Sequence, residues 1–276
     1  MKTSAATLTP LALISFSANS ILCRLALGDG TIDPASFTTI RVAAGAAILS
    51  AISLTAEPAS PRAAAPRWRS AVALFLYAIA FSLAYVSLTA GTGALLLFGA
   101  VQTTMLGYAL SSGERPTWRE WAGLGVAIVG LVYLVSPGLA APPLTGSALM
   151  LLSGVSWGYY SLWGRSSSDP LADTGINFVR SVPMAAAVSA LTIRGLSISP
   201  VGAGLAALSG AVASGLGYVA WYAALRGLTA TRAATVQLAV PIVTAIAGVL
   251  LLGEPMSLRL VMAAALILGG ISLARR

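Results

Sequence analysis

Apolar residues follow one another along this chain in long unbroken runs, without the strict alternation of a half-buried strand. Two stretches, Ser70 to Gly113 and Trp121 to Gly164, contain no charged residue. Each is about 44 residues long and as one helix would measure about 66 Å, roughly twice a bilayer's hydrocarbon core. Each must therefore hold two spans and a turn. Continuous apolar runs also exclude a transmembrane barrel, whose strands alternate lipid-facing and lumen-facing residues. The chain thus reads as an all-α polytopic membrane protein. Charges, Pro and Gly bound ten predicted transmembrane helices, near 5–27, 34–56, 69–89, 92–112, 118–136, 143–164, 174–193, 200–224, 230–252 and 257–274. The turns are short, and the longest connection, Glu57 to Trp68, is a Pro/Ala/Arg-rich linker.

Composition agrees with this pattern. The 276 residues are 57 % hydrophobic and 9 % charged, against about 25 % charged in a soluble domain. Mean hydropathy is +0.88. Sixteen Lys and Arg against eight Asp and Glu would suggest nucleic acid in a soluble chain. Here the cations sit between apolar runs, where orientation and contact with lipid headgroups are their expected work, and no nucleic-acid partner is expected. With both termini cytoplasmic, about twelve of the sixteen fall on the inner face, Arg62, Arg67, Arg69, Arg115, Arg119, Arg165, Arg226, Arg232, Arg275 and Arg276 among them. Arg24, Arg41, Arg194 and Arg259 lie at or near the outer face. The positive-inside rule therefore predicts N-in, C-in topology, with Trp68, Trp118 and Trp121 as interfacial anchors. Lys2 before an apolar run imitates a signal peptide, but the run is long enough to span and reads as an uncleaved first helix.

The chain also repeats itself at a spacing of about 140 residues. Phe16 to Arg24 (FSANSILCR) aligns with Trp157 to Arg165 (WGYYSLWGR), Ile40-Arg41 with Val179-Arg180, Leu88-Thr89-Ala90 with Leu228-Thr229-Ala230, and Gly113-Glu114 with Gly253-Glu254. Five spans per repeat is an odd number, so the second copy enters the membrane inverted, and two inverted halves (1–138 and 139–276) can exchange outward-open and inward-open shapes. This predicts a transporter working by alternating access.

At these residues the whole chain resembles the drug/metabolite transporter superfamily, specifically ten-helix proteins with two EamA-type repeats. It is most similar to YddG-type exporters of aromatic amino acids, though Phe16 stands where that family usually has Trp. The resemblance implies export of amino acids or related metabolites across a bacterial inner membrane.

No carboxylate is expected inside a span: Asp29, Asp33, Glu57, Glu114, Glu120, Asp169, Asp173 and Glu254 all lie in or beside connections. The chain has no His, and Cys23 is its only cysteine. These absences predict no cofactor, no thiolate metal cluster and no intramembrane proton relay, favouring a facilitator over a proton-coupled antiporter. Glu114 and Glu254 stand in reserve as carriers, surface groups or partners for nearby Arg. A membrane-embedded enzyme lacks any recognisable catalytic set, and a sensory role is the remaining alternative.

Recognition then falls to neutral polar and aromatic groups. The expected substrate-binding residues are Asn19, Tyr77, Gln102, Trp157, Trp163, Tyr218 and Gln237, since a cavity near the midplane draws on spans one, three and four and on six, eight and nine. Interhelical hydrogen bonding is the alternative for the amides, and an interfacial belt for the rings. Arg41 and Arg180 lie within reach of an interface by snorkelling. Either structural pairing with a loop carboxylate or carbonyl, or a gate or substrate-carboxylate contact, fits them. Pro241 is the expected hinge, because it removes a backbone hydrogen bond from span nine. Gly123, Ala127 and Gly130 predict close helix packing. The expected partners are a small organic substrate and membrane lipid, with the chain acting as a monomer.

Overall fold

The computed structural model describes residues 5–55, 68–111, 117–138, 141–165, 167–225, 236–237 and 239–273. Their long helices are α1 (Ala5–Gly28), α2 (Pro34–Thr55), α3 (Trp68–Tyr85), α4 (Ala90–Ser111), α5 (Trp118–Val135), α6 (Leu144–Gly164), α7 (Pro170–Leu191), α8 (Pro200–Leu225), α9 (Ala239–Leu252) and α10 (Leu258–Leu273). The only β pairing among the described residues is an isolated bridge between Ile32 and Ile198. Among the described residues, five helices are long and apolar enough by length and composition to cross a membrane: α1 from Thr7, α2, α3, α4 to Tyr108, and α8. Leu250, Leu251 and Leu258 are among the large apolar side chains left mostly exposed. A surface of that kind belongs in lipid.

Helix starts follow local chemistry. Asp33, Asp169 and Ser199 each precede a proline, and their side chains accept from the N–H groups of Ser36, Ala172 and Gly202 at 2.9, 3.1 and 3.0 Å. An acceptor at the N-cap followed by Pro at the first helical position satisfies one orphan donor and removes another. This explains why α7 begins at Pro170, four residues before the sequence boundary of 174. Pro10 and Pro183 lie inside α1 and α7, and Pro241 is the third residue of α9, with the helical Val236 and Gln237 preceding it in the chain.

Connections that follow α1, α3, α5, α7 and α9 gather at one end. Asp33 N–H donates to Ser197 O at 2.8 Å, and Ser199 N–H to Thr31 O at 2.9 Å. Arg259 Nη1 donates to Ser136 O at 2.6 Å, and Glu254 meets Arg24. Partial burial opposes ionisation of Asp33, but hydrogen bonds from Ser36, Ser197 and Ala35 outweigh it and hold the carboxyl below its usual range.

Packing pairs α2 with α7, α5 with α10, α3 with α6 and α7, α4 with α6 and α9, and α1 with α8 and α9. Small residues set the closest approaches. A Cβ on Gly270 would lie 2.6 Å from Gly123 O and 2.7 Å from Ala127 N, and one on Gly130 would lie 2.8 Å from the Ile267 side chain. The Gly123/Ala127/Gly130 spacing thus serves the α5–α10 contact. A stretch of π-helix, Ser209–Leu216, interrupts α8.

Candidate functional site

The π-helical stretch lies against α1 and α2, where backbones approach closely. A Cβ on Gly210 would collide with the Arg41 carbonyl oxygen, so only glycine fits there. π-helical turns inside α-helices often accompany functional sites, and here the turn presents Ser209 and Ser214 to a buried polar cluster.

Asn19 anchors that cluster from α1. Its Oδ1 accepts from Ser209 Oγ at 2.7 Å and Ser214 Oγ at 3.4 Å, and its Nδ2 donates to the Tyr77 hydroxyl at 3.1 Å. Arg41, only 1 % exposed, donates from Nε to Ser214 Oγ at 3.0 Å. Its Nη2 donates to the hydroxyls of Tyr77 and Tyr218 at 3.1 and 2.9 Å. Tyr218 donates in turn to Tyr77 at 3.0 Å. The guanidinium carbon also stands 5.2 and 5.1 Å from the ring centres of Tyr77 and Phe81, a cation–π arrangement.

The expectation that Arg41 snorkels to an interface is overturned. Its helix register points the side chain at Tyr77, Tyr218 and Ser214, and its polar partners are hydroxyls, neither carboxylate nor carbonyl. Arg24, by contrast, forms an ion pair with Glu254. A guanidinium buried in an apolar interior is costly unless its charge and donors are compensated. Nε–H and both Nη2 hydrogens are engaged, but Nη1 has no hydrogen-bond partner within the chain. Leaving such a donor unsatisfied costs about 1–3 kcal/mol. Of the buried side-chain atoms without a partner among the described residues, Nη1 alone belongs to a charged group.

Beside this network lies a wall of rings. Trp157 stands 4.6 Å from Tyr218, 5.0 Å from Tyr77, 5.4 Å from Phe16 and 5.5 Å from Tyr160, measured between centroids. Phe178 adds a contact to Tyr218 at 5.8 Å. The Trp157 Nε1–H donates to Gln237 Oε1 at 3.4 Å.

The structure therefore brings together Asn19, Tyr77, Trp157, Tyr218 and Gln237, all buried. Gln102 is buried on α4, flanked by Thr103 and Thr104, whose hydroxyls donate to Gly99 O and Ala100 O. Trp163 is seated elsewhere: half-buried, it packs on Tyr159 at 5.5 Å and under the Arg69 guanidinium at 4.6 Å. Pro241 lines an apolar groove of about 160 Å³ between α4, α9 and α10, with Leu95, Met256 and Leu260. Tyr222 is buried and donates to Tyr160 O at 3.1 Å. Trp68, Trp118 and Trp121 are exposed, as interfacial anchors require. Arg180 lies 4.9 Å over the Trp68 ring. Glu57, Glu114 and residues 226–235 lie outside the described residues.

Phe16, Ser209, Ser214 and Phe178 were not among the residues expected at the site, and Arg41, for which a structural pairing and a gate or substrate contact both stood open, joins them there. A lone cation inside an apolar span was the legible signal for Arg41. The Ser-Gly-Ala-Val-Ala-Ser-Gly run at 209–215 signals close backbone approach, but nothing in it specifies a π-turn. Among the described residues no group of three or more His, Cys, Asp or Glu could hold a metal ion.

Comparison with known proteins places this architecture. Residues 144–276 match the EamA-like transporter family. An uncharacterized protein of Pseudomonas aeruginosa is 51 % identical over 96 % of this chain and 92 % of its own length. An uncharacterized transporter of Archaeoglobus fulgidus is 29 % identical over 71 % of each chain. A protein of Streptantibioticus cattleyicolor, named a probable terminal-alkyne amino-acid exporter, is 30 % identical over 75 % of this chain and 71 % of its own. A solved crystal structure, 20 % identical, superposes with a TM-score of 0.68 over 99 % of this chain and 98 % of that one. This chain is an integral membrane protein of the transporter class. It belongs to the EamA-like transporter family of the drug/metabolite transporter superfamily.

Proposed function

We propose that this chain is a secondary transporter that exports small organic metabolites, amino acids including aromatic ones, across a bacterial inner membrane. The observation that carries this reading is the buried cluster itself. Asn19, Arg41 and Tyr77 come from the first half of the chain, and Trp157, Ser214, Tyr218 and Gln237 from the second. A site between two halves is what alternating access needs, because each half can then close one side of it.

Helix contacts support two related halves, 1–138 and 139–276. Adding five to each helix number of the first half, and subtracting five in the second, turns α3 on α6 into α8 on α1. The same exchange turns α4 on α6 into α9 on α1, and α3 on α7 into α8 on α2, while α2 on α7 and α5 on α10 map onto themselves; every one of these contacts occurs. An odd number of spans per half inverts the second, and the charge bias favours both termini in the cytoplasm. Ten spans, a monomeric working unit and Pro241 as a hinge complete the proposal.

Asp33 and Asp169 cap helices, and Glu254 pairs with Arg24 at an end of the bundle. A facilitator that follows the substrate gradient is therefore the mechanism proposed. The related exporter from Streptantibioticus supports amino acids as the substrate class.

Purified protein in sealed vesicles provides the test, with a panel of aromatic and aliphatic amino acids, with and without an imposed pH difference. Counterflow of at least one amino acid, little changed by the pH difference, is the expected result. Concentrative uptake driven by a proton gradient alone would replace the facilitator with an antiporter, and absence of transport across the panel would remove the amino-acid reading. Reporters fused after Arg276 and at Pro142 should report cytoplasm and periplasm respectively.

A further inference from the structure

We propose that Arg41 is the carboxylate-binding residue of the substrate site. The transported molecule then carries a carboxylate that accepts from the Arg41 guanidinium, and an apolar or aromatic part that lies against Trp157, Tyr77 and Phe81. This inference rests on the transport reading for its setting and names the substrate chemistry of that same site.

Three observations carry it. The first is the contrast among arginines. Arg24 and Arg259, near the ends of the bundle, reach a carboxylate or backbone carbonyls: Glu254 and Tyr85 O for Arg24, Ser136 O for Arg259. Arg41 sits fully buried with only hydroxyls and ring faces, and its Nη1 is unpartnered. A purely structural guanidinium in an apolar interior would engage all its donors, because the desolvated charge is otherwise uncompensated.

The second is the imbalance of donors and acceptors around it. The Tyr77 oxygen is offered hydrogens by Asn19, Arg41 and Tyr218 together, more than its two lone pairs can take. Asn19 Oδ1 is already occupied by Ser209 and Ser214. The cluster holds more donors than it can satisfy, so it is complementary to a group made only of acceptors. An ionised carboxylate is such a group, and a planar guanidinium matches it through two parallel hydrogen bonds, which a lysine cannot do.

The third is the adjoining ring wall. Trp157, Tyr77 and Tyr218 lie within 4.6 to 6.3 Å of one another, next to the charge. A small inorganic anion would have no use for that apolar surface, whereas an organic carboxylate would.

The experiment measures binding to the purified full-length chain in detergent by intrinsic tryptophan fluorescence, using L-phenylalanine, 3-phenylpropionate, L-phenylalaninamide and 2-phenylethylamine. The two carboxylates should bind at least about tenfold more tightly than the amide and the amine. R41Q should erase the difference, and R41K, which keeps the charge and loses the fork, should retain part of it. The wild-type panel decides by itself if R41Q does not fold. Equal binding of all four compounds, binding of none, persistence of the preference in folded R41Q, or competition by sulfate as strong as by 3-phenylpropionate would each overturn the proposal. The same compounds in vesicles separate the two readings. Transport of phenylethylamine as fast as phenylalanine removes the carboxylate site and leaves a transporter. Arg41-dependent carboxylate binding without any transport leaves the site and removes the transporter.

Discussion

Arg24 Nε donates to Glu254 Oε1 at 3.0 Å, joining residues 230 positions apart. The other Glu254 oxygen accepts from Ala90 N–H at 2.8 Å, and Arg24 Nη1 donates to Tyr85 O at 3.0 Å. One ion pair thus ties α1 to the end of α9 and to the α3–α4 corner. The carboxylate also lies at the N-terminus of α4, where a negative charge is favoured.

This arrangement predicts coupling between the two residues. R24A and E254A should each lower stability by about 1–2 kcal/mol, the charge-assisted value reduced for the partial exposure of Arg24. The double variant should cost less than the sum, leaving about 1 kcal/mol of interaction energy. Unfolding of the three variants in mild detergent checks this, and strict additivity would mean that the pair contributes nothing.

Gly210 gives a steric prediction. Any Cβ there meets the Arg41 carbonyl, whereas nothing lies within 4 Å of a Cβ built on Gly204 of the same helix. G210A should destabilise by about 1–3 kcal/mol through overpacking and should weaken binding at the site. G204A should be neutral, or stabilising by up to about 1 kcal/mol. Thermal unfolding of both variants is the measurement, and equal behaviour would show that the α2–α8 approach is looser than described.

The rings make a third prediction. Trp157 touches four other rings around Arg41, while Trp163 packs at Tyr159 and Arg69. W157A should weaken an aromatic substrate about threefold to tenfold more than an aliphatic one, the worth of a ring contact. W163A should change both alike. Competition assays in vesicles report it, and a selective loss in W163A would move the site to the Tyr159–Trp163 edge.

Asp33 makes stability depend on acid. Its folded carboxyl ionises below the ordinary value of 3.8 because Ser36, Ser197 and Ala35 hydrogen-bond the charged form. Folding therefore gains from Asp33 wherever the unfolded group is ionised, above about pH 4. The gain falls as pH drops from there through the lower folded value. D33N should flatten the stability profile in that range and cost about 1 kcal/mol at neutral pH as a weakened cap. Melting temperatures between pH 3 and 6 test it, and parallel curves for variant and wild type would count against it.

Membrane insertion, helical class and family resemblance were legible in the residues because they depend on local properties. Run length, charge-free composition and the repeated Arg and Gly-Glu positions survive in any one-dimensional reading. The boundary of α7 was displaced because Asp169-Pro170 is a strong local start that hydropathy alone overlooks. Five candidate residues converge, since polar and aromatic groups inside apolar spans have few places to be buried. Which of them converge depended on helix rotation and on close backbone approach. Trp157 and Trp163 sit on the same helix with similar chemistry, yet six residues is about 1.7 turns of helix. One ring consequently faces the centre and the other an edge. Arg41 shows the same division. Its charge was visible in the sequence, but only the packing of α2 against Gly210, with the π-turn offering Ser214, buries that charge among hydroxyls and keeps it away from the interface.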